Sequence, residues 1–135
     1  MPGAVADIAA EYGRAQIFAL PSHYESFGLA TAEAMASGLP VIGYADCPGT
    51  SELIRDGENG ILVPSTERVT GMANALKKLM DDAALRASLG QRGQQMAQAY
   101  KPEGIVKAWE DLIRAVCAAN VKKTVKKGGK KVVKK

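Results

Sequence analysis

The chain has 135 residues, of which 47% are hydrophobic and 24% are charged, so it has the size and composition of one globular domain, which excludes disorder throughout. No uncharged stretch approaches the roughly 18 apolar residues of a membrane-spanning helix, and the N-terminus lacks the basic region of a secretory signal, so we expect a cytoplasmic protein. Eight of the 18 basic residues lie in residues 121–135, so the pI of 9.1 does not describe the mildly acidic remainder and is no argument for nucleic-acid binding.

The first third of the chain predicts the order helix, strand, helix, strand. Apolar residues at helical spacing indicate a helix over Ala4–Tyr12, with Gly13 as its C-terminal cap. The apolar run Ile17–Leu20 is typical of a short strand that is buried on both faces. A helix rich in Ala and Met is predicted over Leu29–Ser37, and a second buried strand over Val41–Tyr44.

The middle of the chain predicts a third strand and a long amphipathic helix. Ser51–Arg55 has room for one or two helical turns, and the short apolar run Ile61–Val63 predicts the strand. Ser65 or Thr66 is expected to cap the helix that follows. The apolar residues of that helix recur at steps of three and four: Val69, Met72, Ala73, Leu76, Leu79 and Met80.

Three further helices are predicted after this one. Two short helices are expected on either side of Gly90, and Asp81 or Asp82 is expected to cap the first of them. The last helix is expected over Pro102–Ala119, where the apolar stripe includes Trp109. Four methionines lie on apolar faces and are predicted core residues: Met35, Met72, Met80 and Met96.

Cysteine and histidine are too few to predict a metal site. Cys47 and Cys117 lie 70 residues apart, and His23 is the chain's single histidine. We expect both cysteines to be reduced packing thiols. His23 is interpreted as a surface residue, with contact to a phosphate or sugar as the alternative.

The alternation of short apolar strands with amphipathic helices predicts an α/β fold, a Rossmann-like parallel sheet flanked by helices on both faces. Three strands are predicted, whereas nucleotide-binding sheets of this kind usually have about five or six. The predicted sheet is therefore incomplete, as if the first half of a domain were missing.

The loop between the first strand and the second helix carries the clearest chemistry. It brings Gly28 and free backbone N–H groups to a helix N-terminus at the carboxyl end of the sheet, which favours a phosphate. Glu33, about one turn into the helix, and Glu25, on the loop, have carboxylates that accept hydrogen bonds from ribose or sugar hydroxyls. These features alone leave two interpretations open, a nucleotide site and an ordinary loop with exposed carboxylates.

The order of residues in this region resembles that of the nucleotide-sugar glycosyltransferases of family 4, also called group 1. The acidic pair Glu25 and Glu33, with seven residues between its members, is the signature of that family, and the segments around Gly28 and Val41 follow its pattern. The resemblance covers about residues 5–116. A second block agrees in register: Gly49, Glu52, Leu53, Ile54, Asp56, Gly57, Asn59, Gly60, Leu62, Val63 and Pro64.

The resemblance implies that residues 1–120 are a partial C-terminal, donor-nucleotide-binding domain of the two-domain GT-B fold. Such enzymes, many of them in polysaccharide biosynthesis, transfer a sugar from a UDP- or GDP-sugar with retention of configuration and need no metal or other cofactor. The family's acceptor domain, and the Arg and Lys that neutralise its diphosphate, come from earlier segments. We therefore expect the chain to be inactive alone and its partners to be those missing segments or a second copy.

The resemblance places the nucleotide at the start of the second helix. Glu33 would hold the ribose hydroxyls. The backbone N–H groups of Leu29 and Ala30 would bind the diphosphate.

The donor sugar would lie against the preceding loop. Glu25 would contact sugar hydroxyls near the anomeric carbon, which makes it the candidate catalytic residue. The backbone around Phe27 and Gly28 would also meet the sugar. Ser26 stands where many family members have Gly, but a small residue is retained at this position.

A function of another class stays open, that of a catalytically silent fragment that binds a polypeptide through an exposed sheet edge. The Lys-rich tail, residues 121–135, is expected to be disordered because like charges repel and no apolar stripe is present. Lys122 to Lys135 could place the protein at an anionic membrane surface. Nucleic-acid binding has less support, because no aromatic residue is interleaved with the lysines.

Overall fold

The computed structural model describes the backbone of residues 3–128 and the side chains of residues 3–119. It divides into two units, one that ends at Gln98 and one that begins at Ala99. In this described range the first unit has the strands β1 (Phe18–Leu20), β2 (Val41–Tyr44) and β3 (Gly60–Val63). The helices are α1 (Ile8–Arg14), α2 (Leu29–Ala36), α3 (Pro48–Leu53), α4 (Arg68–Asp81), α5 (Ala83–Ala97) and, in the second unit, α6 (Pro102–Gly128).

The strands form one parallel sheet in the order β1, β2, β3, which confirms the predicted α/β fold. Phe18 pairs with Val41, and Val41 pairs with Gly60. A Cβ atom at Gly60 would lie 2.7 Å from the carbonyl oxygen of Val41. Glycine at this position therefore allows β3 to begin close beside β2.

β2 is the centre of the core, and all four of its residues are buried. Successive side chains of a strand point to opposite faces, so Ile42 and Tyr44 belong to one apolar cluster and Val41 to another. Both faces of the sheet are therefore covered, as continuous apolar strands require. Helical members of the first cluster are Met72, Ala75, Leu79 and Leu89, and those of the second are Ala34, Met35, Leu53 and Ala97.

α5 is one continuous helix, so the prediction of two helices separated by Gly90 is wrong. A Cβ atom at Gly90 would overlap the carbonyl oxygen of Gly38. A glycine inside a helix costs about 1 kcal/mol relative to alanine, and here it lets α5 pack against the turn after α2. One turn later the side chain of Gln94 donates a hydrogen bond to the carbonyl oxygen of Ala36 (3.2 Å).

α1 begins and ends later than predicted. Its N-cap is Asp7, whose side chain accepts a hydrogen bond from the N–H of Ala10 (3.0 Å). Gly13 lies inside the helix and does not cap it. The C-cap is Ala15, whose N–H is bonded to carbonyl groups of the last turn. The side-chain cap at Asp7 explains why the helix starts there and not at Ala4.

Other helix starts show one confirmed cap and two differences. Asp82 caps α5, because its side chain accepts a hydrogen bond from the N–H of Leu85 (2.8 Å). Ser65 and Thr66 lie in a short 3-10 turn and do not cap α4, which begins at Arg68. α3 begins at Pro48, a favourable first helical residue, and not at Ser51.

Two predicted core residues are exposed. Met80 is 69% exposed on α4, because it lies outside the stripe that packs on the sheet, whereas Met35 and Met72 are buried and Met96 is partly buried. Cys47 is buried, as expected of a packing thiol, but Cys117 is exposed. The packing interpretation is therefore correct for the first cysteine and wrong for the second.

The second unit contains α6, which extends to Gly128 instead of ending at Ala119. The backbone is thus helical over residues 121–128, where the sequence predicts disorder; extension of an existing helix costs far less than nucleation, and lysine is a good helix former. The remainder of the predicted tail, residues 129–135, lies outside the described residues. Among the helices of the described chain, none is both long and apolar enough to cross a bilayer. The apolar stripe of α6 is exposed: Ile105, Val106, Trp109, Leu112, Ile113 and Val116.

Candidate functional site

A loop connects the carboxyl end of β1 to the N-terminus of α2, and it ends at Gly28. Gly28 is the N-cap of α2 and has a φ of +79°, in the left-handed region where a side chain causes strain. A Cβ atom at this position would also lie 3.2 Å from the carbonyl oxygen of Gly49. Glycine is therefore required both for the backbone conformation and for close contact with the next loop.

The first turn of α2 carries backbone donors that have no partner within the helix. The first bond of the helix runs from the N–H of Ala32 to the carbonyl oxygen of Gly28 (3.0 Å), so the N–H groups of Leu29, Ala30 and Thr31 precede it. Among the described side chains none caps this end. These donors and the positive end of the helix dipole favour an anion.

The loop before α2 rests on the first turn of α3. The N–H of Gly49 donates a hydrogen bond to the carbonyl oxygen of Glu25 (3.0 Å). A Cβ atom at Gly49 would lie 2.6 Å from that oxygen and 2.8 Å from the backbone nitrogen of Phe27. The tertiary structure thus packs the start of the second sequence block against the first.

Glu33 lies one helical turn beyond Ala30, on the same side of α2. Its Oε2 atom accepts a hydrogen bond from the hydroxyl of Tyr12 on α1 (3.1 Å). The same hydroxyl is 3.4 Å from the carbonyl oxygen of Ala30. Burial, the hydrogen bond to Glu33 and the negative charge of Glu33 raise the pKa of Tyr12 above its ordinary value of 10.0.

Tyr12 is not recognisable as a site residue from the sequence, because its spacing fits the apolar stripe of the first helix. The signal available in the sequence is a tyrosine at a position of an apolar stripe, since a tyrosine hydroxyl that becomes buried usually has a hydrogen-bond partner. The partner itself lies 21 residues away in the chain, so the sequence offers no local way to identify it.

The structure places the predicted site residues along one continuous stretch of backbone. Glu25 is partly buried on the loop, and Glu33 is exposed on α2. Gly28 is buried between them, whereas the side chains of Phe27 and Leu29 are 38% and 67% exposed. The two glutamates thus lie on either side of the N-terminus of α2, Glu25 before it and Glu33 after it.

A second polar cluster, which has no local pattern in the sequence, surrounds Tyr44 at the end of β2. The guanidinium group of Arg68 lies 4.5 Å from the ring centroid of Tyr44 and pairs with the carboxylate of Asp46 (2.5 Å). The ring of His23, an exposed residue, is 6.1 Å from the ring of Tyr44. Within the described residues, no group of three or more His, Cys, Asp or Glu side chains could hold a metal ion.

Comparison with known proteins shows a family match over most of the chain. The family described as "Glycosyl transferases group 1" matches residues 1–96. An exopolysaccharide phosphotransferase of Streptomyces coelicolor is 40% identical over 103 residues, which are 76% of this chain and 11% of that protein. A D-inositol 3-phosphate glycosyltransferase of Corynebacterium aurimucosum is 40% identical over 94 residues, 70% of this chain and 22% of that protein. The chain thus spans less than a quarter of either relative.

Solved structures agree with this match. A sucrose-phosphate synthase from Thermosynechococcus elongatus superposes with a TM-score of 0.76 at 36% identity, over 83% of this chain and 28% of that one. The pneumococcal O-GlcNAc transferase GtfA, solved with UDP and GlcNAc, gives a TM-score of 0.71 at 28% identity, over 83% of this chain and 23% of that one. Both sequence blocks and the parallel sheet lie within residues 1–96, the part of the chain that the family matches. The chain therefore belongs to the group 1 glycosyltransferases and forms part of the C-terminal domain of a GT-B fold.

Proposed function

We propose that this chain supplies the donor-binding part of a glycosyltransferase that moves a sugar from a nucleotide-sugar to an acceptor with retention of configuration. The observation that carries the proposal is the start of α2. There, backbone N–H groups that have no partner among the described residues are followed one turn later by the carboxylate of Glu33. Helix N-terminal donors suit a diphosphate, and a carboxylate suits a ribose diol. The bound UDP of the related O-GlcNAc transferase supports a nucleotide ligand.

The proposed nucleotide contacts follow the direction of α2. The N–H groups of Leu29 and Ala30 bind the diphosphate at the positive end of the helix dipole. Glu33 accepts hydrogen bonds from the ribose hydroxyls. The donor is a UDP- or GDP-sugar, and the protein needs no further cofactor for this binding.

The proposed sugar contacts lie on the loop. The hydrogen bond from Gly49 holds the backbone of Glu25, while the Glu25 carboxylate is left to accept hydrogen bonds from sugar hydroxyls near the anomeric carbon. A negative charge at this position stabilises the positive charge that develops on the sugar as the leaving group departs. Glu25 is therefore the proposed catalytic residue, and the backbone of Phe27 and Gly28 completes the sugar contacts.

In the proposed transfer, the bond between the anomeric carbon and the diphosphate oxygen breaks. A bond from the anomeric carbon to the acceptor oxygen forms on the same face of the sugar. The departing diphosphate takes the proton of the acceptor hydroxyl and leaves as a nucleoside diphosphate. This route requires no protein nucleophile.

We further propose that the chain transfers no sugar when it is alone. It spans 28% and 23% of the two structural relatives described above. Transfer also needs an acceptor platform, a cation for the leaving diphosphate and exclusion of water. These would come from other segments of a longer protein or from a second copy of the chain.

A second candidate function is that of a silent fragment that binds another polypeptide. The open edges of the sheet favour it, because β1 and β3 each pair only with β2 among the described strands. The three residues of β1 are only partly buried. An unpaired strand edge is a template for pairing with another chain.

Titration of the whole chain with UDP and GDP tests the first proposal. Calorimetry and ligand-observed magnetic resonance measure the binding. We expect binding with a Kd of about 1 mM, since only part of the donor site is present. If neither nucleotide contacts the chain at high protein concentration, the donor-site proposal fails and the interaction function is favoured.

A further inference from the structure

The hydroxyl of Tyr12 lies between two parts of the proposed nucleotide site. It is 3.1 Å from Oε2 of Glu33 and 3.4 Å from the carbonyl oxygen of Ala30. These two residues are successive neighbours on one side of α2, and Tyr12 approaches them from α1. A residue outside the family signature therefore contacts the residue proposed to bind ribose.

Tyr12 is held more firmly than Glu33. Its ring is partly buried, packs against the second apolar cluster and meets the ring of Phe18 edge-on, with 6.1 Å between the ring centroids. Glu33 is exposed, and a free glutamate side chain samples many rotamers, which ligand binding must then restrict. A hydrogen bond from a fixed partner removes part of that cost before the ligand arrives.

We propose that Tyr12 is a positioning residue for the ribose, because its hydroxyl donates to Oε2 of Glu33 and so orients the carboxylate toward the sugar. This inference rests on the proposed nucleotide-binding function. An ionised carboxylate has about four lone-pair sites. The bond from Tyr12 uses one of them, so enough remain for the two hydroxyls of a ribose.

The competing explanation is that Tyr12 only packs α1 onto the body of the unit. The ring would serve that role with or without its hydroxyl. Tyr12→Phe keeps the ring and removes only the donor, so it separates packing from positioning. Tyr100→Phe, which removes a tyrosine hydroxyl from the short 3-10 turn Gln98–Tyr100, is the matched control.

The test compares two ligands on the same whole-chain sample: UDP, and 2′,3′-dideoxy-UDP, which lacks both ribose hydroxyls. We expect Tyr12→Phe to weaken UDP binding about fivefold and to change dideoxy-UDP binding by less than about twofold. The ratio of the two Kd values does not depend on the fraction of folded protein, because both ligands meet the same sample. In a Glu33→Ala background, Tyr12→Phe should have no further effect on UDP.

Each outcome has a distinct meaning. Selective loss of UDP binding in Tyr12→Phe, absent in Tyr100→Phe and in the Glu33→Ala background, supports the inference. Equal weakening of both ligands, or no weakening, overturns it and leaves the donor-site proposal standing. If the unmodified chain binds neither ligand, the donor-site proposal itself fails, and the role of Tyr12 fails with it.

Discussion

Gly49 and Glu25 are joined by a backbone hydrogen bond of 3.0 Å, from the N–H of the glycine to the carbonyl oxygen of the glutamate. This bond fixes the loop that precedes α2 to the first turn of α3. The backbone at Gly49 can lie this close to the loop only because glycine has no side chain. A Cβ atom at this position would lie 2.6 Å from the same oxygen. The conformation of the proposed sugar-binding loop is therefore set by a residue 24 positions later.

Gly49→Ala should destabilise the fold by about 1 to 3 kcal/mol, since the new methyl group meets backbone atoms that cannot move aside easily. Urea denaturation measures this change. Gly13→Ala is the control: nothing lies within 4 Å of its Cβ position, and alanine inside a helix is favoured over glycine by about 0.5 to 1 kcal/mol. Equal effects of the two substitutions would contradict the close packing of the two loops.

Glu33→Ala should weaken UDP or GDP binding by about 1 to 3 kcal/mol, the range for loss of hydrogen bonds to a charged group. Titration calorimetry or ligand-observed magnetic resonance gives the two Kd values. Glu110→Ala, on α6, removes a carboxylate of the same type and should leave binding unchanged. A Kd that is insensitive to Glu33 would remove this residue from the nucleotide site.

Glu33→Ala should also lower the pKa of Tyr12, because burial remains while the hydrogen bond and the charge of Glu33 are lost. Magnetic resonance of tyrosine labelled at Cζ follows the titration. The unmodified folded chain keeps the Tyr12 proton above pH 10, where the unfolded chain loses it. The contribution of Tyr12 to the free energy of unfolding is therefore fully present below about pH 10. It is lost as the pH rises through the pKa of Tyr12 in the folded chain. Tyr12→Phe should lack that part of the fall.

The Lys-rich tail should bind anionic lipid vesicles in a salt-sensitive way. Truncation after Asn120 removes eight lysines and should abolish binding, whereas neutral vesicles should not bind either chain. If the truncated chain still binds anionic vesicles, the membrane contact belongs instead to the apolar stripe of α6 that includes Trp109.

The whole chain should self-associate or bind a partner that covers the sheet edge, and it should transfer no sugar by itself. Size-exclusion chromatography with light scattering measures association, and an assay for released nucleoside diphosphate with several nucleotide-sugars measures transfer. A monomer that releases diphosphate only when an acceptor is added would show that the chain is a minimal enzyme.

The sequence by itself determined the parallel α/β architecture and the family. The bounds of β2, Val41–Tyr44, follow from the run of three hydrophobic residues and Gly43 after Pro40, because a strand buried on both faces has no polar alternation. The family follows from the Glu25 and Glu33 pair and the second block, since both are local patterns with fixed spacing. The cap at Asp82 is equally local, because its bond reaches only three residues along the chain.

The tertiary structure alone decided which distant residues meet at the site. Gly90 has the sequence pattern of a helix break, but it lies inside α5 because Gly38 packs against it, 52 positions away in the chain. The contacts between Gly49 and Glu25 and between Tyr12 and Glu33 also join residues that are distant in the chain and that packing brings together. Such contacts depend on how helices and loops pack around the sheet. Hydrophobic periodicity indicates only which face of an element is buried, and not which residue of another element lies opposite that face.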